Sequence, residues 1–528
     1  MNAASYHQTS LEAGWDAIVI GSGIGGLAAA ALLARQARQR VLVLERHYTA
    51  GGFTHVFRRP GYEWDCGVHY VGMAGDVRAA FDHLTDGRLQ WNALPDVYDR
   101  VRIGERNYEF PTGEERLRAR MKEYFPGEAA AIDRYFAMVN AAAGAARFYF
   151  AEKALPAPLA RLAGPLLRRR FLRYSDRTTA SVLDSLTGDR ELRGVLAAQW
   201  GDYGLPPGHS SFGMHAIIAQ HYFAGASYPV GGASRIAAEI APAIEQAGGR
   251  IIVSAEVSSI LTEAGRRATG VRMADGREFR APLVISDAGA RNTFTRLLPP
   301  VASQVAELDQ IGPSMSHLCL YVGIKHDGAP PDTGAANLWV APSADHDANL
   351  ERYADDPGAP FPFLFISFPS AKDPAFAARF PGKSTIEVVA PAPYRWFERW
   401  SATRWKKRGD EYDRFKAVLA ERLREELERL APAVRGRIDY AELSTPLTTR
   451  HFANHPLGEI YGLSATPARF RSRLAQARTP LGNLYLTGAD AASLGVAGAL
   501  FGGVIAASAI LGRNLLSAVS RGAIARAA

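Results

Sequence analysis

The segment GWDAIVIGSGIGGLAAAALLARQARQRVLVLERHYTAGG, residues 14–52, decides the fold. Its DAIVI run, 16–20, is short and apolar, as strands buried in a parallel sheet are. Gly21, Gly23 and Gly26 then form G-x-G-x-x-G, with Gly25 inside the pattern, and 27–33 is an Ala/Leu run with good helix propensity. VLVLE, 41–45, reads as a second buried strand whose last residue, Glu45, lies nineteen residues past Gly26. Gly21 permits a tight turn, Gly23 lets the main chain approach a pyrophosphate, and Gly26 allows close helix–strand packing. The helix start offers unpaired N–H groups to phosphates, and Glu45 can accept hydrogen bonds from ribose hydroxyls. A lone glycine pattern could serve packing alone. Strand, glycines, helix, strand and terminal acid in register point to a dinucleotide.

The chain continues with Gly51 and Gly52 directly after the second strand, which suits a cofactor running past the first βαβ unit, as an extended FAD does. Arg46 and Thr54 flank that turn and join the cofactor candidates. Near the other end, NLYLTGAD (483–490) reads as a strand closing on Gly488 and Asp490, and GVAGALFGG (495–503) opens a helix. Such a helix start, carrying Val496 and Gly498, can face the electron-rich edge of a reduced flavin. Asp490 can hold a cofactor hydroxyl or cap the helix. FAD is therefore the expected cofactor. Only one fingerprint is visible, so the source of electrons is not written in the chain.

At 528 residues the chain is long for a single core. Its 47% hydrophobic and 22% charged residues describe an ordinary globular protein. Cys66 and Cys319 are too few for a disulfide framework and favour a reducing, cytoplasmic compartment. The first sixteen residues lack the basic and apolar regions of a signal peptide. A net charge of +8 is mostly dispersed and carries no nucleic-acid motif, so nucleic acid is not expected as a partner. The uncharged stretch 492–512 is long enough to span a bilayer. Its Gly/Ala richness and the strand before it favour a buried helix instead.

Beyond the fingerprint, YEWDCGVHYVG (62–72), QWGDYGLPPGHSSFGMHA (199–216), YPVGGASRIA (228–237), STPLTTRHFANHPLGEIYGLSATPARF (444–470) and the 479–503 segment complete a pattern. It resembles the flavoproteins of the phytoene desaturase and carotenoid isomerase superfamily, and within it the retinol saturase group. The resemblance covers most of the chain. It implies an α/β fold: a discontinuous Rossmann-type FAD-binding domain of the GR2 kind with an inserted α+β substrate domain. The expected division is 14–85, 228–300 and 471–528 for FAD, and 86–227 and 301–470 for substrate. In similar flavoproteins the residue at the Val257 position meets adenine through its main chain. The strands LCLYVGIKH, NLWVAP, FPFLFISF and STIEVVAP and an amphipathic helix over 411–430 are expected in the inserted domain.

The resemblance implies an oxidoreductase acting on a carbon–carbon double bond of a lipophilic polyene, most simply by reduction. Desaturation and cis/trans isomerisation with the same flavin are the alternatives, and a non-redox prenyl-lipid carrier is a remote one. Proton-handling candidates are His69 and Tyr70 in WDCGVHY, Gln199, Asp202 and Tyr203 in QWGDYG, and Glu459 and Tyr461 in GEIYG. Each has a plainer role open to it: Asp202 as a turn residue, His69 as a core histidine, the tyrosines as pocket wall. No Cys/His/carboxylate cluster suggests a metal. ALPAPLARLAGPLLRRRFLRY, 154–174, mixes leucines at helical spacing with Arg168, Arg169 and Arg170, which suits peripheral contact with the cytoplasmic membrane face. Pro156, Pro158 and Pro165 argue against one long helix there.

Overall fold

The computed structural model describes residues 3–520. The two strands read from the fingerprint, Ala17–Ile20 and Val41–Leu44, pair in parallel at the centre of a six-stranded sheet. Across it the order is Ala4–Ser5, Arg250–Val253, Val41–Leu44, Ala17–Ile20, Leu283–Ser286 and Leu484–Leu486, every pair parallel. Segments hundreds of residues apart in sequence are therefore neighbours, and three strand ends converge beside the glycine turn. The last eight residues of the segment assigned above to the FAD domain, 521–528, lie outside the described residues.

The apolar stretch 492–512 is mostly the helix Gly495–Leu511, buried against helix Ile24–Ala37. Its small residues are what allow the contact: a Cβ at Gly503 would stand 2.5 Å from the carbonyl oxygen of Gly25. Among the described residues no helix is long and apolar enough to cross a membrane.

A second sheet has seven strands, in the order Ile438–Ser444, His317–Lys325, Lys383–Pro391, Leu364–Ser367, Asn337–Ala341, Val97–Ile103 and Arg106–Pro111. All pairs are antiparallel except Asn337–Ala341 with Val97–Ile103. Helix Asp410–Leu430 contributes Leu419, Leu423 and Leu427 to the core on one side of this sheet. Tyr321, Trp339, Phe365 and Val389 look the other way, toward the cavity described below.

One expectation fails. The prolines do not break the segment after residue 156; a single helix runs Ala157–Ser175 with Pro165 inside it. Pro158 falls in the first turn, where its missing N–H would have had no partner anyway. Pro165 is exposed, as is Arg161 one turn earlier, so water can take the carbonyl that loses its helical bond.

Candidate functional site

A cavity of about 460 Å³ runs from the glycine turn to the aromatic face of the seven-stranded sheet. Of the residues expected to hold a cofactor, Gly21, Gly23, Gly25, Glu45, Arg46, Gly51, Gly52, Thr54, Val257, Gly488, Asp490 and Val496 line it. Gly26 and Gly498 stand behind the wall. The positive φ of Gly21, 96°, makes the turn that aims the helix start at the cavity. A Cβ at Gly26 would lie 2.6 Å from the oxygen of Gly21, and one at Gly25 only 2.4 Å from the Cα of Gly488. At Gly498 the missing Cβ makes room for the Ser493 carbonyl instead.

Charged side chains brace this cradle. Glu45 Oε2 accepts from Ser22 N at 2.9 Å and Ser22 Oγ at 2.7 Å, while Oε1 accepts from His47 N at 2.7 Å. The Arg46 guanidinium donates to the carbonyls of His451 and Phe452, tying the 451–452 main chain to the second strand. Asp490 accepts Leu463 N at 2.9 Å on one oxygen and Ala290 N at 2.8 Å on the other. It therefore clamps two loops as well as facing the cavity. The 2%-exposed Arg469 lies 3.8 Å away and donates to the Leu463 and Ala489 carbonyls.

Asp287 is the cradle residue that sequence reading missed. It follows strand Leu283–Ser286, and its Oδ2 would lie 2.4 Å from a Cβ on Gly23. Burial pushes its carboxyl up to about 7; the Gly26 and Gly23 amides pull it back, and the charges of Glu45 and Asp490 push with the burial. The signal was present in VISDAGA, an acid just past a buried strand, as in LYLTGAD.

At the far end, Trp339, Phe363, Phe365 and Tyr321 make an aromatic chamber. Three proton-handling candidates, His69, Asp202 and Tyr461, reach it. Tyr70 stands behind Asp202, its hydroxyl 3.0 Å from Asp202 Oδ2 and 3.0 Å from Asp99 Oδ2. Gln199 also turns inward, donating to Asp99 Oδ2 at 2.7 Å. Tyr203 is a layer further back, its hydroxyl 3.1 Å from His215 Nδ1. Glu459, 4% exposed, accepts Leu457 N at 2.8 Å and locks its own loop.

With this geometry the comparisons agree. The family model described as "Flavin containing amine oxidoreductase" matches residues 24–511. The chain belongs to this family. It is thus a flavin-dependent oxidoreductase, and a cradle whose every approach is cleared of Cβ atoms, at the positive end of a buried helix, fits such a cofactor. Over 527 residues the chain is 39% identical to the all-trans-retinol 13,14-reductase of Danio rerio, covering 95% of this chain and 86% of that one. Prolycopene isomerase 1, chloroplastic, of an Oncidium hybrid cultivar is 27% identical over 85% of this chain and 75% of its own. An oxidoreductase structure from Methanosarcina mazei shares the fold at a TM-score of 0.60 and 18% identity, covering 92% and 98% of the two chains.

The oxidoreductase also carries buried charges that sequence reading passed over. Glu387, fully buried within Lys383–Pro391, accepts Asp65 N at 2.9 Å, and its other oxygen lies 2.8 Å from His69 Nδ1, off the line of a hydrogen bond. Burial lifts Glu387 to about 8, and burial with the Glu387 charge lifts Asp65 to about 8. Lys372, brought down to about 7 by burial, donates to Ser367 Oγ at 2.7 Å and His69 O at 2.9 Å, and to Asn337 Oδ1. Burial and the Lys372 charge hold His69 down near 3, so its imidazole is neutral. One signal for Glu387 was legible: a lone acid inside the apolar run STIEVVAP. Among the described residues no group of three ligating side chains is placed to hold a metal.

Proposed function

We propose that this oxidoreductase binds FAD and reduces a carbon–carbon double bond of a lipophilic, retinoid-like polyene. The observation that carries the reading is continuity: the cradle and the aromatic chamber are one cavity, with His69 and Asp202 on the chamber wall. Glu45 would take the ribose, the main chain at Val257 the adenine, and the start of helix Ile24–Ala37 with the Gly51–Gly52 turn the pyrophosphate. Gly488, Asp490 and Val496 would hold the flavin end. When bound and reduced, the cofactor supplies a hydride; the protein orients the chain-like substrate among Trp339, Phe363 and Phe365, excludes water and supplies a proton. Identity of 39% to an all-trans-retinol 13,14-reductase supports reduction over the isomerisation named for the more distant relative.

On the same reading, the cofactor domain comprises 14–85, 228–300 and 471–528 and the substrate domain 86–227 and 301–470. Substrate arrives from a membrane surface. Leu159, Leu162 and Leu166 on helix Ala157–Ser175 are 53%, 83% and 73% exposed, with exposed Arg161, Arg169 and Arg170 on the same helix. Leucines beside arginines suit the boundary between acyl chains and anionic headgroups. Electrons come from a donor outside the chain.

The test is an anaerobic reaction of dithionite-reduced protein with all-trans-retinol, a carotenoid panel and an unsaturated fatty acid, read by flavin absorbance and product mass. Reoxidation with a gain of two hydrogens is the expected result. Isomer changes at constant mass would move the protein to the isomerases, and failure to bind FAD on reconstitution would sink the cofactor assignment.

A further inference from the structure

Asp99 lies on strand Val97–Ile103, fully buried, and its two oxygens receive four donors. Oδ1 accepts Asn337 Nδ2 at 2.8 Å; Oδ2 accepts Gln199 Nε2 at 2.7 Å, Trp339 Nε1 at 3.0 Å and the Tyr70 hydroxyl at 3.0 Å. The Asn337 amide cannot turn over, because its oxygen already accepts the Lys372 ammonium. Burial pushes Asp99 up, but four N–H and O–H groups aimed at it, three of them on Oδ2, pull it back, so of the carboxyls of Asp99 and Asp202 it is Asp99 that is held as a carboxylate. Tyr70 has one hydroxyl proton and two carboxyl groups at 3.0 Å. If it donates to Asp99, Asp202 can approach the same hydroxyl oxygen only as a donor, that is, as a neutral acid.

We infer that Asp202 is the acid that protonates the alkene, with Asp99 and Tyr70 as positioning residues: Asp99 holds the proton on Asp202, and Tyr70 turns its hydroxyl from Asp99 to Asp202 as that proton leaves. The inference rests on the reductase reading and deepens it. Asp202 sits in the short turn Trp200–Tyr203, on the cavity wall. The turn is pressed against the aromatic chamber, since a Cβ on Gly201 would lie 2.7 Å from Trp339. Burial first, and then the Asp99 charge, raise Asp202 far above the usual carboxylate range. The other groups that face it, Tyr98, Tyr222, Tyr203 and Tyr461, are all tyrosines raised by burial, so none of them titrates near neutrality; Lys372, brought to about 7 by burial, faces Asp99 and lies over the Tyr70 ring rather than against Asp202.

The step balances. One alkene carbon gains a hydride from the reduced flavin, which loses two electrons. Its neighbour gains the Asp202 proton: the O–H bond breaks, a C–H bond forms, and the O–H electron pair stays on the carboxylate. Tyr70 then stabilises that new anion, and solvent returns the proton after the product has left. A carboxylic acid kept neutral in an apolar site is a known way to supply acid chemistry at pH 7.

The test uses dithionite-reduced holoenzyme in single turnovers with all-trans-retinol, alongside infrared difference spectra of the flavin-free protein. Asp202→Asn keeps the shape and neutrality of the acid. It should retain flavin binding and slow product formation by ~10²–10⁴-fold, and it should remove one component of the neutral carboxylic-acid absorption at pH 7, leaving those of Glu387, Asp65 and Asp287. The unsubstituted rate should fall as pH rises through the Asp202 transition. Asp99→Asn should move that alkaline limb to lower pH, a shift that mere loss of structure would not give. Turnover within threefold of normal in Asp202→Asn, or an acid-band absorption at pH 7 identical to that of the unsubstituted protein, overturns the inference alone. Unsubstituted protein that binds flavin yet leaves the polyene at constant mass overturns the reductase reading and the inference with it.

Discussion

Asp287 places a carboxyl beside the glycine turn that we propose receives the pyrophosphate, and replacing it with Asn isolates what that charge does. In the folded chain its carboxyl is pushed up to about 7, chiefly by burial. In the unfolded chain it titrates near ~3.9. A raised folded value means the stabilising form is the neutral one. Its contribution is complete below pH ~4 and is lost as pH rises through 7. Three units at about 1.36 kcal/mol each give ~4 kcal/mol lost by pH 8. Asp287 is only half-buried, so screening from the cavity reduces this to ~2–4 kcal/mol. Asp287→Asn keeps the acceptor for the Gly23 and Gly26 amides and cannot ionise. Flavin-free protein should therefore unfold in urea with nearly equal midpoints for the two forms at pH 4.5, whereas at pH 8 the variant should lead by that margin. The affinity of the parent protein for FAD should also weaken between pH 6 and 8, and that of the variant should stay level. Equal differences at both pH values, or a variant less stable at pH 8, would refute the placement of this charge.

Gly25→Ala would drive a Cβ to 2.4 Å from the main chain of Gly488, which cannot yield as a side chain would; overpacking of this kind costs ~1–3 kcal/mol, and flavin retention on a desalting column should be lost. Lys372→Met leaves the carbonyl of His69 and the amide oxygen of Asn337 without their buried donor, so we expect a loss of ~1–3 kcal/mol, read as a lower melting temperature at pH 7. Leu162→Asp combined with Leu166→Asp removes the two most exposed leucines of helix Ala157–Ser175; at ~1.5–3 kcal/mol for each buried leucine, vesicle binding should fall at least tenfold while turnover of detergent-solubilised substrate is unchanged.

How much of this was legible follows from where the information lies. The cradle is largely local: strand, glycines, helix and Glu45 occupy one short segment, and the constraints on them are met within it, by the glycines of 488–503, or by Asp287, the one element that was missed. The buried C-terminal helix was legible for the same reason, since its Gly and Ala answer directly to contacts at Gly25 and Ala28. The prolines of 156–165 misled because the rule against them assumes an enclosed helix. Here Pro158 is in the first turn and Pro165 faces water.

The proton-handling side is the opposite case. Asp202 and Tyr70 were singled out as two of seven candidates of equal standing, since a carboxyl in a turn and a tyrosine in a loop look alike wherever they occur. What separates them from Tyr203 and Glu459 is Asp99, which is unremarkable in VYDRVRI until the fold sets Tyr70, Gln199, Asn337 and Trp339 around it. Those partners come from three separate stretches, and no periodicity within any one of them encodes the meeting. The chemistry depends on a difference between two carboxyls about one hydroxyl apart: Asp99 is saturated with donors and keeps its charge, while Asp202 has one shared partner and an open cavity. A sequence states that both are aspartates. Only the count of donors around each decides which holds a proton, and that count belongs to the packing.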